Sequence, residues 1–558
     1  METPLPSPTA RALLETGSRA VAYEEADAQQ AGSAAGRSSP QALRRAWEAW
    51  FLAALVLVAF GLRLAGLDAQ SLWRDEVDAV RFTLRPMGEV LATFATPGQN
   101  GPLYYLLLRP WLAVAGSGEF ALRFFSAAMG VVALPLVARL ARRLPGARAW
   151  PALGPLAAIL AATSPYLAWY GQEGKMYTLA VALVLLAMER YLAALQRGGW
   201  QRWLLYVVAT SAAFYVHLIA ALIVPVQVLV FLLHDAGVRR ARWRPWLASL
   251  AALTLPYLPL LAWQLPLLAQ PGETGYAFVP LQDMTLSLLA GYSLGVVQEP
   301  APWVLALFLL PLLLSGLLPW RRGWAMLLCW LLVPIVAFFA LTLVRPMYTA
   351  RYLIFVLPAY LLLVAGGLLA VARRSRVLGI ALALAILALN GRGLWLQART
   401  PLKADFRGAT AYLRQNMAPG DLILFQIPYG RHSFEYYVAR PELLPGNVGQ
   451  TPPGRPAGTG EEGRFRLFLP LALAEGLEAY RWAEGPYTNS GMEPEVVAGR
   501  MAEVTAGSRV VWLVASEVAL WDQRGLAQGW LEEHATRTGA AEFTRVTVYR
   551  YELQSRPY

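Results

Sequence analysis

Eleven apolar runs constrain this chain more than any other feature. They lie near 49–67, 120–141, 151–169, 176–195, 203–216, 218–233, 246–263, 302–319, 324–344, 352–371 and 377–393. Apolar runs of about 15 to 20 residues or more bridge the bilayer hydrocarbon as helices, because only a helix satisfies its backbone polar groups where water is absent. A chain built this way folds as a polytopic α-helical membrane protein. Of its 558 residues, 57% are hydrophobic and 15% charged, whereas soluble domains carry about 25% charged residues.

A twelfth run, 102–116 (PLYYLLLRPWLAVAG), is short and carries Arg109 and Pro110 near its middle. The arginine-rich connections decide its place. Read as an interfacial or re-entrant helix, it leaves Arg44-Arg45, Arg142-Arg143, Arg197 with Arg202, Arg239-Arg240, Arg321-Arg322 and Arg373-Arg374 on one side. Excess Lys and Arg marks the cytoplasmic side. The N-terminus is then cytoplasmic, and the chain after residue 395 is extracytoplasmic, in an inner or plasma membrane. The outer face receives the first loop 68–119, the loop 264–301 and the turns at 170–175, His217 and 345–351.

The net charge of +12 is on this reading an orientation signal and not a nucleic-acid footprint. Residues 1–45 are rich in Ala, Ser, Gly, Glu and Gln and read as a disordered cytoplasmic tail. They lack the apolar core of a cleavable signal peptide, so the run beginning at Trp50 is expected to be the signal anchor. A single cysteine, Cys329, excludes an intramolecular disulfide and a cysteine-based metal site.

Residues 46–395 are thus expected to form a transmembrane domain, and 396–558 a small extracytoplasmic α/β domain. In the latter, 405–417 and 522–537 read as helices, 421–426, 464–470, 509–517 and 542–553 as strands, and Pro/Gly-rich 441–461 as a loop. No GxGxxG or P-loop string occurs anywhere.

Four polar clusters collect on the expected outer face. They are Asp75-Glu76 with Asp78 and Arg81, the stretch 96–105 with Asn100 and Tyr104, the turn 169–177 with Glu173, Lys175 and Tyr177, and the stretch 345–352 with Arg345 and Arg351. His217 lies between them. Outer turns are not where cations are expected. A carboxylate with several cations suits a substrate bearing an anionic lipid phosphate: the cations hold the phosphate as leaving group, and the carboxylate takes a proton from an acceptor hydroxyl. Asp75 and Glu76 are neighbours on a helix and diverge by about 100°, so one faces a cavity while the other caps or braces.

Six strings in order carry a resemblance. They are SLWRDEVDAV (71–80), GPLYYLLLRPWLAVAGSGEFALRFFSAAMGV (101–131), SPYLAWYGQEGKMYTLA (164–180), YVHLIA (215–220), RYLIFVLP (351–358) and DFRGATAYL (405–413). Together they resemble the bacterial glycosyltransferase family 39 proteins. That family is related to the dolichyl-phosphate-mannose–protein mannosyltransferases and the lipid A aminoarabinose transferase, in the GT-C fold group. The resemblance implies an inverting glycosyltransferase that moves a sugar from a polyprenyl-phosphate donor to an extracytoplasmic acceptor, whether protein, lipid or glycan. It places Asp75 as the catalytic residue with Glu76 beside it. It makes Asn100, Tyr104, Glu173, Lys175, Tyr177, His217, Arg345 and Arg351 candidates for holding substrate and phosphate.

Lys175 and Arg351 are expected to neutralise the phosphate, with Glu173 orienting Lys175 or touching the sugar. Lys175 stands where the family usually has Arg, which keeps the charge and loses the bidentate fork. Some relatives bind a divalent metal through a residue at the position of Asn100 and a histidine matching His217. Asn100 is a poor ligand, so no metal site and no cofactor are expected. Two other function classes compete: a lipid-linked glycan transporter or flippase, and a glycan-binding membrane protein. The first calls for paired broken helices in inverted halves, which the sequence does not show; the second has no need of an acidic first loop.

Overall fold

The computed structural model describes residues 40–94, 101–258, 277–445, 480–486 and 492–554. The tail 1–39, Asn100, the end of the seventh apolar run, residues 264–276 of the loop 264–301 and the strand expected at 464–470 lie outside the described residues.

Every apolar run contains helix. In chain order these are α1 (Pro40–Leu64), then α2 (Arg74–Thr83) in the first loop, α3 (Pro102–Ala115), α4 (Glu119–Ala141), α5 (Leu153–Thr163), α6 (Pro165–Gly171), α7 (Tyr177–Arg197), α8 (Trp200–Val216), α9 (Ile223–Leu232), α10 (Ala236–Thr254), α11 (Leu281–Leu294), α12 (Pro302–Leu314), α13 (Arg321–Val344), α14 (Leu357–Arg374) and α15 (Arg376–Arg399). Among the described residues, six helical stretches are long and apolar enough to cross a membrane, at 46–64, 119–141, 177–197, 321–344, 350–374 and 376–399. Residues from Val56 to Tyr558 form one compact unit.

Several runs are interrupted where polar chemistry collects. The run 151–169 is two helices, because Pro165 has no N–H to continue α5. Ser164 restarts the chain as α6 by accepting the Leu167 N–H at 3.3 Å. At the end of α8, His217 is extended and is followed by a 3₁₀ turn, Leu218–Leu222. Extended Thr349 and the 3₁₀ stretch Ala350–Val356 precede α14 in the same way. The loop 264–301 is not loop throughout, since it carries α11.

The last part of the chain opens with α16 (Phe406–Asn416), capped by the Asp405 carboxylate accepting from Gly408 N–H at 2.9 Å. Then come β1 (Leu422–Phe425), α17 (Pro428–Val438), β2 (Arg481–Glu484), α18 (Pro494–Thr505), β3 (Val510–Ser516), α19 (Leu526–His534), β4 (Ala535–Phe543) and β5 (Val546–Leu553). The sheet order is β2-β1-β3-β5-β4, with β1 parallel to β2 and β3, and β5 antiparallel to β3 and β4. The helix expected at 522–537 is therefore shorter, and the strand expected at 542–553 is a hairpin turning at Thr544-Arg545. β4 is an edge strand reading ATRTGAAEF, largely exposed. It lacks the apolar alternation that announces a strand.

Successive residues of β1 and β3 face opposite sides of the sheet. One face, with Leu422, Leu424, Val511 and Leu513, is covered by Val497 and Met501 of α18 and Ala527 and Leu531 of α19. The other face, with Ile423, Phe425, Trp512 and Val514, joins Phe406, Phe434 and Tyr437. That cluster continues without a break into Leu72, Val77, Val80, Leu108 and Leu112 of the first loop. The sheet domain is therefore fixed on the loop that carries Asp75. Polar bonds fix the register: Tyr437 Oη donates to Glu119 Oε1 at 2.6 Å and accepts from Leu72 N–H at 2.7 Å, and Arg407 Nη1 lies 2.9 Å from Glu119 Oε2.

Candidate active site

The site is built on the first turn of α2, whose acids Asp75 and Glu76 suit the positive end of the helix dipole. Three consecutive residues leave that turn in three directions. Arg74 lies over the Tyr429 ring of the sheet domain, its guanidinium 4.0 Å from the ring centre. Asp75 meets Arg351 at 3.1 Å. Glu76 turns inward and is fully buried.

Glu76 is saturated. Arg123 of α4 grips both carboxylate oxygens, at 2.8 and 2.7 Å. Lys403 Nζ donates to Oε1 at 2.9 Å, and so does Gly174 N–H at 2.8 Å. Burial alone would raise the pKa of Glu76, but the charges of Arg123 and Lys403 hold it down to about 2. Gly174 is required for this approach, because a Cβ there would sit 2.5 Å from Leu122 Cγ. A carboxylate bound by four donors, kept ionised and closed to solvent is poorly placed to meet an acceptor hydroxyl. The sequence paired Glu76 with Asp75 as catalytic; the geometry makes Glu76 the brace that fixes α2 against α4, the 172–175 turn and the chain leading into the sheet domain.

Asp75 is a quarter exposed and its partner Arg351 is less so, at 23% and 17%. Arg351 also lies 3.8 Å from Glu173 Oε1, with its guanidinium 5.4 Å from the Trp73 ring and 5.8 Å from the Tyr177 ring. Glu173 is buried, and its Oε1 makes no hydrogen bond among the described residues. Burial pushes its carboxyl up to about 7, against the pull of Arg351 and Lys403. Tyr177 continues to His217 at 6.0 Å between ring centres, and His217 to Tyr352 at 5.5 Å. Both nitrogens of His217 are buried without a partner among the described residues. Burial, with Arg351 nearby, pushes its pKa down to about 4 and keeps the ring neutral at physiological pH.

Lys175 is nearly buried. Its expected companion Glu173 points to Arg351 instead, and no carboxylate lies within ion-pair distance of the Lys175 ammonium among the described residues. Arg345 ends α13 in extended backbone, half-buried. Tyr104 is fully buried in the apolar cluster, its ring 5.5 Å from Tyr105 and 5.9 Å from Phe125, and its Oη has no hydrogen-bond partner among the described residues. Asn100 lies outside the described residues. Among the described residues no three His, Cys, Asp or Glu side chains converge as a metal would need.

Sequence reasoning missed Arg123 and Lys403. Lys403 had a signal: it is one of two lysines in a chain whose other cations are all arginine, placed just past the last apolar run.

Residues 99–263 match the family model described as dolichyl-phosphate-mannose-protein mannosyltransferase. The matched stretch contains Glu173, Lys175, Tyr177 and His217 and excludes Asp75 and Arg351. In three dimensions the chain is similar to ArnT from Cupriavidus metallidurans bound to undecaprenyl phosphate, with a TM-score of 0.52 and 14% identity over 90% of this chain and 98% of that one. It is similar to the apo state of the same protein at a TM-score of 0.53 and 14% identity, over 91% of this chain and 98% of that one.

The chain has the GT-C fold.

No curated protein matches this GT-C chain in sequence. The likeness covers the sheet domain as well as the helices, since nine-tenths of the chain is aligned. At 14% identity it is a likeness of fold, and the roles of the GT-C chain's own residues rest on its geometry.

Proposed function

We propose that the protein is an inverting glycosyltransferase that moves a sugar from a polyprenyl-phosphate carrier to an acceptor hydroxyl on the extracytoplasmic side. The observation that carries the reading is the pairing of Asp75 with Arg351 beside Glu173, His217 and Lys175. This is one semi-exposed carboxylate facing cations at the interrupted ends of the spanning helices. The GT-C fold and the mannosyltransferase match support it, as does the undecaprenyl phosphate bound by the similar ArnT.

In the resting state Arg351 is held by Asp75. An arriving phosphate offers Arg351 a bidentate partner and frees the carboxylate. The acceptor oxygen attacks the anomeric carbon from the face opposite the phosphate, and its proton passes to Asp75. The bond from the anomeric carbon to the phosphate oxygen breaks, and polyprenyl phosphate leaves with one more negative charge. Arg351 and Lys175 balance that charge where it develops, which is where preorganised cations lower a barrier most. One displacement inverts the configuration. Glu76 reacts with nothing in this scheme; it keeps α2 still, so that Asp75 stays within reach.

The test is transfer of sugar from a synthetic polyprenyl-phosphate donor by detergent-purified protein. A transporter or glycan-binding protein leaves the donor intact under the same conditions.

A further inference from the structure

The sheet domain has a site-like feature of its own. In open α/β sheets, ligands bind outside the carboxyl ends of parallel strands, at the point where connections leave in opposite directions. Here that point lies between β1 and β3. The chain leaves β1 for β2 on one side, while it leaves β3 for the β4–β5 hairpin on the other. The carboxyl end of β1 supplies Gln426 and, in the first turn of α17, Tyr429. The carboxyl end of β3 supplies Glu517.

Four observations converge on this crevice. Tyr429 Oη donates to Glu517 Oε2, which bridges the two strand ends. Glu517 sits at φ 50°, one of two non-glycine residues with positive φ among the described residues, and such strain persists where the surroundings enforce it, often at binding sites. Gln426 is buried, yet its Oε1 has no hydrogen-bond partner among the described residues, a cost that a ligand's donor would remove. Arg74, the residue before Asp75, lies over the Tyr429 ring, so the crevice and the carboxylate are joined by one helical turn.

We propose that this crevice is the acceptor subsite and that it takes a neutral, hydroxyl-rich glycan. The assignment rests on the glycosyltransferase reading above. Gln426 Oε1 is an acceptor without a donor among the described residues, Glu517 adds carboxylate oxygens, and hydroxyls supply donors. The nearby cations are committed. Arg74 lies on Tyr429 and 3.9 Å from Asp78, and Arg431 lies 3.3 Å over Trp482 and bonds Glu435 and Glu484. Both guanidinium groups are thus already engaged.

The test uses the full-length protein in detergent, a polyprenyl-phosphate-linked sugar as donor, and membranes of a strain lacking the gene as acceptor. Glu517→Gln and Tyr429→Phe are each expected to raise the half-saturating acceptor concentration at least tenfold, with the donor KM changed less than twofold. Periodate treatment of the acceptor membranes, which cleaves vicinal diols, is expected to abolish transfer, and protease treatment to leave it. Unchanged acceptor saturation in both variants overturns the subsite while leaving the glycosyltransferase reading in place. Loss of acceptor activity on protease treatment alone overturns the glycan class. A wild type that never consumes the donor overturns the glycosyltransferase reading and the subsite with it.

Discussion

Lys403 reaches back from the start of the sheet domain to place its ammonium 2.9 Å from Glu76 Oε1. Through this contact and Arg123, a carboxylate in the first loop ties a spanning helix, the 172–175 turn and the following domain into one body. Leaving one partner of a buried ion pair uncompensated costs about 3–5 kcal/mol. Glu76→Gln leaves two buried cations facing a neutral amide, so it is expected to lower the thermal midpoint of the purified protein. Lys403→Met is expected to cost less, because Arg123 alone still neutralises Glu76. Equal midpoints for wild type and both variants on thermal unfolding would remove the bracing role.

Arg351 and Lys175 are assigned to the departing phosphate. Removing one preorganised charge donor from a developing anion costs about 2.7–4 kcal/mol, or 10²- to 10³-fold in rate. Arg351→Ala and Lys175→Ala are each expected to lower kcat/KM for the donor by that order. Lys175→Arg should retain most of the activity, since charge is what the position supplies. Steady-state kinetics at varied donor concentration decide it, and unchanged constants in both alanine variants reduce the two residues to cations resting at the membrane surface.

Glu173 links the site to pH. Burial pushes its carboxyl up to about 7, so below that pH it is neutral and Arg351 has only Asp75 as an anionic partner. As pH rises through about 7, Glu173 ionises, competes for Arg351 and loosens its hold on Asp75, which is then available to take a proton. Activity is expected to rise with pH through a single inflection near 7. Glu173→Gln fixes the neutral form and should lose the inflection, remaining at the low-pH level. A pH–rate profile of the two proteins checks this, and an unchanged inflection in the variant assigns the titration elsewhere.

How far these arrangements were legible in the sequence depended on distance along the chain. Asp75 and Arg351 stood out because each is a charge in a turn where the arginine pattern has no other use. The eleven apolar runs marked helices because their composition alone announces them. The bracing of Glu76 did not show, since Arg123 and Lys403 lie far from it in sequence and from each other, and an arginine inside an apolar run reads as a flank of the span. The burial of Tyr104 against Phe125 did not show either, because it depends on how α3 packs on α4. β4 was missed because an edge strand with one covered face needs few apolar residues, and the crevice between β1 and β3 exists only through strand order.

The proposed orientation follows from the one-sided arginine clusters. A reporter fused after residue 145 is expected to be cytoplasmic, and one fused after residue 395 extracytoplasmic. An extracytoplasmic signal at 145 would mean that α3, only 14 residues long, crosses the membrane after all and inverts every later segment.

The account centres on Asp75 as the group that takes the acceptor's proton, with its neighbour Glu76 holding the helix. A general base is worth roughly 10²- to 10⁴-fold, and Asp75→Asn preserves shape while removing the proton acceptor. The most direct measurement is turnover of a polyprenyl-phosphate-linked sugar by purified Asp75→Asn, with donor binding and thermal midpoint recorded on the same preparation. The account predicts a loss of kcat in that range, with the protein folded and the donor still bound. Near-normal turnover by Asp75→Asn would contradict it.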